Sequence, residues 1–161
     1  MQKYQVLFVD DDRAVGYIVS RFRVWENSDF SLKSIASSSA EALKLMEKES
    51  YDLVITDIRM PGMDGLELIR TIKERYRRTI CIISSTYSDF EYARTALQYG
   101  VKDYLLKPST KNEIKEVLTR VIGQLKEQQS LRLELTERIH TYEKKLDRFQ
   151  ELLLGNILSG R

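Results

Sequence analysis

Groups able to do chemistry recur in this sequence directly after short apolar runs. Asp10, Asp11 and Asp12 follow Val6-Leu7-Phe8-Val9, and Asp57 follows the run that opens with Leu53-Val54-Ile55. Ser84, Ser85 and Thr86 follow Ile80-Cys81-Ile82-Ile83, and Lys107-Pro108 follows the weaker run Asp103 to Leu106. If these groups converge on one crevice, the carboxylates cannot all stay ionised without a counter-charge, because like charges raise one another's pKa. A hard divalent cation with oxygen ligands resolves this, and Mg²⁺ suits one or two carboxylates with waters and a phosphate. A carboxylate is also a competent nucleophile toward phosphorus, giving an aspartyl phosphate. Lys107 and the Ser/Thr hydroxyls can then hold the phosphoryl oxygens. Taken singly, an Asp after a strand is as readily a helix cap or a turn residue. The conjunction is what points to chemistry, since four strands must each deliver a useful group. Asp12 is the exception: it stands where the first helix begins and has a minor role or none.

The elements that must position these groups are legible in the pattern. The three continuous apolar runs read as strands buried on both faces, as a parallel sheet requires, and Phe30 to Ala36 and Asp103 to Leu106 read as weaker strands. Between them Val15, Ile18, Val19, Phe22 and Trp25 fall at helical spacing, as do Leu66, Ile69, Ile72 and Tyr76. Capping boxes at Ser38 with Glu41, Ser88 with Glu91 and Thr110 with Glu113 mark three helix starts. The order of alternating strands and helices predicts an α/β fold: a doubly wound, five-stranded parallel sheet with right-handed crossovers. Such sheets bind their ligands at the carboxyl ends of the strands.

Composition bounds the alternatives. The chain has 161 residues, 42% hydrophobic and 31% charged, which suits one folded domain plus an appendage. Lys+Arg 26 against Asp+Glu 24 gives a net charge of +2, without the excess of a protein that binds nucleic acid through a broad basic face. One Cys forms neither an internal disulfide nor a zinc cage. No apolar run has the length of a membrane span and no signal peptide is visible, so the expected compartment is the cytoplasm, with no membrane partner.

Three blocks together resemble the response-regulator receiver domains of two-component signalling. They are Val9-Asp10-Asp11, then Asp57-Ile58-Arg59-Met60-Pro61-Gly62-Met63-Asp64-Gly65, then Tyr104-Leu105-Leu106-Lys107-Pro108, and the likeness covers roughly residues 1–125. The resemblance implies a flavodoxin-like receiver in which Asp57 is the phosphoacceptor, served by a sensor histidine kinase. It implies that Asp10, Asp11, Asp57 and the main-chain carbonyl of Arg59 hold Mg²⁺, and that Lys107 contacts the phosphoryl group, with Pro108 after a cis peptide bond. Ser85 and Tyr104 occupy the family's switch positions. On phosphorylation the hydroxyl is drawn inward and the aromatic ring buries itself, reshaping the face of the family's fourth helix, fifth strand and fifth helix. A receiver of this kind promotes its own phosphorylation and dephosphorylation but is not a turnover enzyme. A narrower likeness, in Tyr87-Ser88-Asp89-Phe90-Glu91-Tyr92-Ala93 and Gly100 to Pro108, is to the YesN-type regulators, which join a receiver to an AraC-type DNA-binding domain through a helical linker. Packing of Phe90 and Tyr92 within a helix would account for them equally well.

The remaining sequence reads as one long helix. From Ile114 the positions 118, 121, 125, 128, 132, 135, 139, 142, 146, 149 and 153 step by four and three, and ten of these twelve are apolar. That spacing predicts a coiled coil. Roughly 40–45 helical residues extend on the order of 60–70 Å, too far to bury the stripe on one small domain, so a homodimer through this helix is expected. With 118 at a and 121 at d, Arg138 is g and Glu143 the following e, an attractive pair across a parallel dimer. Antiparallel pairing, or a hairpin near Gln128-Gln129-Ser130, fits the spacing too. Gln128, Arg132 and Gly123 weaken the start of the seam, as a hinge or as plain poor packing. His140 falls on the outward b position, Cys81 reads as an inert core thiol, and Arg75, Arg77 and Arg78 read as a solvated helix end.

The expected organisation is a receiver core over 1–109, its last helix over 110–125 and a coiled-coil extension over 126–161. The apolar end, Leu152 to Leu158, reads as a boundary leading to a further domain, and DNA binding is expected only through such a domain, absent from this chain. Two other classes fit parts of the pattern. Asp10-Asp11-Asp12 imitates the Asp-x-Asp of haloacid-dehalogenase-type phosphatases, with Asp10 as nucleophile, although residue 14 is Ala and no later acidic pair supplies that family's metal site. A phosphorylation-independent dimerisation module is the other, against which stand the intact acids and lysine. Arg59 brings a long cation to the mouth of the site, and Thr86 is larger than the Gly or Ala common in receivers there. Both are expected to govern access of water to an acyl phosphate, so Arg59→Ala and Thr86→Ala should each change the dephosphorylation rate followed by loss of radiolabel; unchanged rates would remove this role.

Overall fold

The computed structural model describes residues 2–86, 94–95 and 97–158. The chain divides into two compact units, Met1–Ile122 and Gly123–Arg161. The first holds five strands, β1 (Tyr4–Val9), β2 (Phe30–Ala36), β3 (Leu53–Thr56), β4 (Ile80–Ser85) and β5 (Asp103–Leu106). They form one parallel sheet in the order β2-β1-β3-β4-β5. The described helices are α1 (Arg13–Ser20), α2 (Val24–Asn27), α3 (Ser39–Lys48), α4 (Gly65–Arg75) and α5 (Lys111–Leu158). Residues 94–95 and 97–98, between β4 and β5, are also helical. The expected Ser88–Glu91 box and the side chains of Phe90 and Tyr92 lie outside the described residues.

Strands β3 and β4 are buried throughout and β1 from Val6 onward, so each contributes alternate residues to two cores. Leu7, Val54 and Cys81 share one register row, and Val9 and Ile83 flank Thr56 in another. With Ala42 and Met46 of α3 and Leu68, Ile69 and Ile72 of α4 they form a single cluster. The intervening rows, Val6-Leu53-Ile80 and Phe8-Ile55-Ile82, face the other way. On that side α1 approaches so closely that a Cβ on Gly16 would lie 2.9 Å from the Ile35 side chain. Ile114, Val117, Leu118 and Val121 in the first turns of α5 are buried and belong to none of the α3–α4 cluster. Edge strand β2 is not in simple register with β1: Val6 pairs with Leu32 but Leu7 with Ser34, so Lys33 is an extra residue in the ladder.

One expectation needs correction. The spacing of Val15, Ile18, Val19, Phe22 and Trp25 predicts one helix, but α1 ends at Ser20 and Trp25 sits in the separate turn α2. Val19 and Trp25 are buried, whereas Ile18 is 55% exposed. Two contacts hold the break: the Trp25 indole Nε1 donates to the Val19 carbonyl at 2.8 Å, and Lys3 Nζ, far off in sequence, donates to the Trp25 carbonyl at 2.7 Å. The indole bond adds to the one that the Val19 carbonyl already accepts from Phe22 N at 3.2 Å, closing the end of α1. Of the two expected capping boxes within the described residues, Thr110 with Glu113 is reciprocal, whereas at Ser38 the Glu41 carboxylate accepts from Ser37 N instead. Ser38 Oγ accepts from Glu41 N at 3.1 Å, and Thr110 Oγ1 accepts from Glu113 N at 3.2 Å. Asp12 caps α1, accepting from Ala14 N at 2.9 Å.

Helix α5 runs without a break from Lys111 to Leu158. A hairpin near Gln128 is therefore not what the chain forms. Among the described residues no helix is long and apolar enough to cross a membrane.

Two glycines should respond oppositely to alanine. A Cβ on Gly65, at the start of α4, would lie 1.9 Å from the Asp57 carbonyl oxygen, whereas one on Gly123 meets nothing within 4 Å. Gly65→Ala is expected to cost about 3 kcal/mol in urea unfolding, the upper part of the overpacking range. Gly123→Ala should instead raise helicity by circular dichroism and stabilise by up to about 1 kcal/mol.

Candidate phosphoryl and metal site

The rows of the sheet deliver the candidate residues. Val9, Thr56 and Ile83 are neighbours in register, so the residues that follow them, Asp10, Asp57 and Ser84, leave the sheet side by side. Backbone bonds hold these exits: Asp10 N donates to the Ala36 carbonyl at 3.0 Å, Asp57 N to Val9 at 2.9 Å, and Lys107 N to Ser85 at 2.7 Å. The Lys107–Pro108 peptide is cis.

Lys107 Nζ lies 2.6 Å from Asp10 Oδ2 and 3.2 Å from Asp57 Oδ2. Asp10 is 2% exposed and Asp57 8%. Asp11 is exposed, and one carboxylate oxygen from each of Asp10, Asp11 and Asp57 falls within 4.8 Å of the others. The outer oxygens are held by main-chain donors. Asp12 N donates to Asp10 Oδ1 at 2.9 Å and Ile58 N to Asp57 Oδ1 at 2.8 Å. The structure thus brings Asp10, Asp11, Asp57 and Lys107 together.

The electrostatics follow from burial and count. Burial pushes the Asp57 carboxyl above its ordinary value, and the charge of Asp10 adds to this, against the opposing pull of Lys107 and the Ile58 N–H. Burial lowers the Lys107 ammonium, but its hydrogen bond to Asp10 and the charges of Asp10 and Asp57 more than reverse this, so it ends above its ordinary value. Three carboxylates gathered about one ammonium give this cluster an excess of negative charge. A close set of hard oxygen donors with that excess fits a divalent cation of the Mg²⁺ kind.

Ser85 and Tyr104 form a pair of their own. Ser85 is fully buried, and its Oγ lies 3.0 Å from Tyr104 Oη. Both hydroxyls also reach the Thr86 carbonyl at 3.4 Å. Ser85 is therefore engaged with the half-buried tyrosine, and its hydroxyl is not among the groups gathered on Lys107. Arg59 and Thr86 are exposed. Asp12 is committed to its cap, which removes the acid that a haloacid-dehalogenase reading requires of it. Cys81 is buried mid-strand and its thiol is pushed up to about 11 by desolvation.

Three contributors are not singled out by sequence reasoning. Thr56 Oγ1 is buried and donates to the Asp57 carbonyl at 2.9 Å. Gly65 N donates to the Ile58 carbonyl at 2.7 Å, fixing the loop behind the acid. Arg120 of α5 binds both oxygens of Asp103, at 2.5 and 3.1 Å, and Asp103 Oδ1 accepts from Tyr104 N at 2.8 Å. The available signals were a hydroxyl directly before the acid, a glycine after a capping Asp, and a cation between the buried positions Val117 and Val121.

Residues 6–119 match the response regulator receiver domain family, and the chain belongs to it. Its general role is that of a receiver in two-component, phosphorylation-dependent signalling, and such domains are generally not turnover enzymes. The transcriptional regulatory protein YesN of Bacillus subtilis is 38% identical over 125 residues, covering 78% of this chain and 34% of YesN. HptR of Staphylococcus aureus is 36% identical over 127 residues, 79% of this chain and 50% of HptR. The chain thus spans a third to a half of these curated relatives. Among solved structures, the receiver domain of AraT, a response regulator from Geobacillus stearothermophilus, aligns with a TM-score of 0.75 at 30% identity, over 80% of this chain and 99% of that one. A two component transcriptional regulator AraC from Clostridium phytofermentans aligns with a TM-score of 0.71 at 29% identity, over 79% and 98%.

The raised Asp57 carboxyl has a consequence for stability. Its proton is held more tightly in the folded chain than in the unfolded one, so stability falls as pH rises past the ordinary carboxylate range. Asp57→Asn cannot ionise and escapes this loss. In EDTA at pH 7.5 the variant is expected to unfold at higher urea than the wild type, by about 1 kcal/mol, and added Mg²⁺ should narrow the gap by stabilising the wild type alone.

Proposed function

We propose that Asp57 is the phosphoacceptor of a response regulator whose donor is the phosphohistidine of a sensor histidine kinase. One observation carries this reading: the Lys107 ammonium bridging Asp10 Oδ2 and Asp57 Oδ2, two nearly buried acids, with the exposed Asp11 carboxylate beside them. A carboxylate oxygen of Asp57 attacks phosphorus, the P–N bond breaks, and the electron pair leaves with the imidazole. Lys107, already seated between the acids, shifts onto the phosphoryl oxygens as their charge builds. Asp10, Asp11, Asp57 and the Arg59 carbonyl would hold Mg²⁺, which when bound neutralises the phosphoryl oxygens. Ser85 then exchanges its bond with Tyr104 for the phosphoryl group, and Tyr104 moves with it. The receiver thereby promotes its own phosphorylation and dephosphorylation, without acting as a turnover enzyme.

The relatives named as transcriptional regulators, of which the chain spans a third to a half, support a transcriptional output carried by a DNA-binding domain outside this chain, and the compartment of this reading is the cytoplasm. Residues 1–109 form the receiver core, 110–125 its last helix and 126–161 a coiled-coil linker that joins two copies. Support for the linker comes from the heptad spacing and the apolar side chains that it leaves exposed.

The test is the intact mass of the chain after incubation with acetyl phosphate and Mg²⁺, beside Asp57→Asn. A single phosphoryl adduct is expected, lost in the variant and without metal. An adduct that survives in Asp57→Asn would move the acceptor elsewhere. No adduct from acetyl phosphate or a phosphorylated kinase would leave a phosphorylation-independent dimerisation module.

A further inference from the structure

We infer that the second unit pairs with a second copy of itself as a parallel, in-register two-stranded coil over Leu135–Leu153. This rests on the dimer reading above and adds to it an orientation and a boundary. The six seam positions in this stretch, Leu135, Ile139, Tyr142, Leu146, Phe149 and Leu153, are 46–69% exposed. They lie on one uninterrupted helix, so no second segment of the described chain returns to cover them. In proteins most of a helix's stability comes from packing of its apolar face rather than from propensity. The spacing of four and three that joins these residues is the one that a partner helix fills with knobs in holes.

Charge selects the occupant and its direction. In a parallel in-register pair, Arg138 at g faces Glu143 at the following e of the second copy, and the symmetry repeats the attraction. Lys145 at g then faces the neutral Gln150. Centred antiparallel pairing of the same six positions would instead set Lys145 against Lys145 and Glu143 against Glu143 of the second copy. Like charges in those places oppose pairing. Within its own helix Arg138 also bonds Glu134 at 2.9 Å, so the guanidinium is already steered by acids on both sides of its turn. The seam begins at Leu135 because the two preceding layers are polar: Gln128 at d and Arg132 at a, where a parallel pair would stack two cations.

Single cysteines read the direction. Leu135→Cys and Leu153→Cys are made separately in the full chain. Cys81 is left in place, since it is buried and its thiol is held up to about 11. After mild oxidation each variant alone should run on a non-reducing gel chiefly at twice the 18.9 kDa chain mass. Mixing the two should give no more product than the separate samples. If neither variant links alone but the mixture does, the pair is antiparallel and the inference is overturned. A monomer by light scattering at all concentrations, phosphorylated or not, would overturn the pairing itself. Both variants lie far in sequence from the acids, so an undiminished acetyl-phosphate adduct in either case keeps the failure of the coil separate from any failure of Asp57 as acceptor.

Discussion

An ammonium lies between two nearly buried carboxylates, and much of the first unit is arranged so that it can. Neither Asp10 nor Asp57 would tolerate that depth as an anion without Lys107, and Lys107 would not tolerate its own burial without them. The arrangement requires three strand ends to finish level. The strands that carry Val9, Thr56 and Ile83 pack side chains on both faces, so a slip of one residue would exchange the two cores as well as misplace the acids. The apolar layers and the polar site are therefore held by the same register. Gly65 extends the constraint to α4, whose first residue sits against the Asp57 backbone where no side chain fits.

From this centre a set of contacts leads outward. Ser85 touches Tyr104 through their hydroxyls, the Tyr104 main chain touches the Asp103 carboxylate, and that carboxylate is gripped by Arg120 on α5. Each link is a hydrogen bond or ion pair. A change in the bond that Ser85 makes therefore bears on the strand carrying Tyr104, and through Asp103 on the opening turns of α5. Arg120 is more than half exposed, so its pairing is of the kind that yields readily to rearrangement rather than one that anchors stability.

What was legible in the sequence is what depends on local pattern. Strands buried on both faces announce themselves as unbroken apolar runs, and Asp12, Ser38 and Thr110 announce helix starts through short-range bonds to their own backbone. The acids and Lys107 could be placed because each stands directly after a readable strand. What escaped depends on side-chain contacts that leave no trace in the local spacing. The end of α1 is decided by an indole bond from Trp25 and by Lys3 reaching Trp25, none of which alters the helical period through Phe22 and Trp25. The engagement of Ser85 with Tyr104 is likewise invisible to spacing. The resemblance named both as switch positions but did not say that their hydroxyls touch.

The irregular edge of the sheet has a bearing on how the chain behaves in company. An open strand edge offers a row of unpaired main-chain groups to any other strand. Here the extra residue at Lys33 throws the β2 ladder out of step with β1 and sets a cation at the discontinuity. An incoming strand would meet mismatched donors and acceptors on a locally twisted backbone. Sheet-to-sheet growth is thereby discouraged, and a crowded population of these chains is steered toward contacts between side chains rather than between backbones.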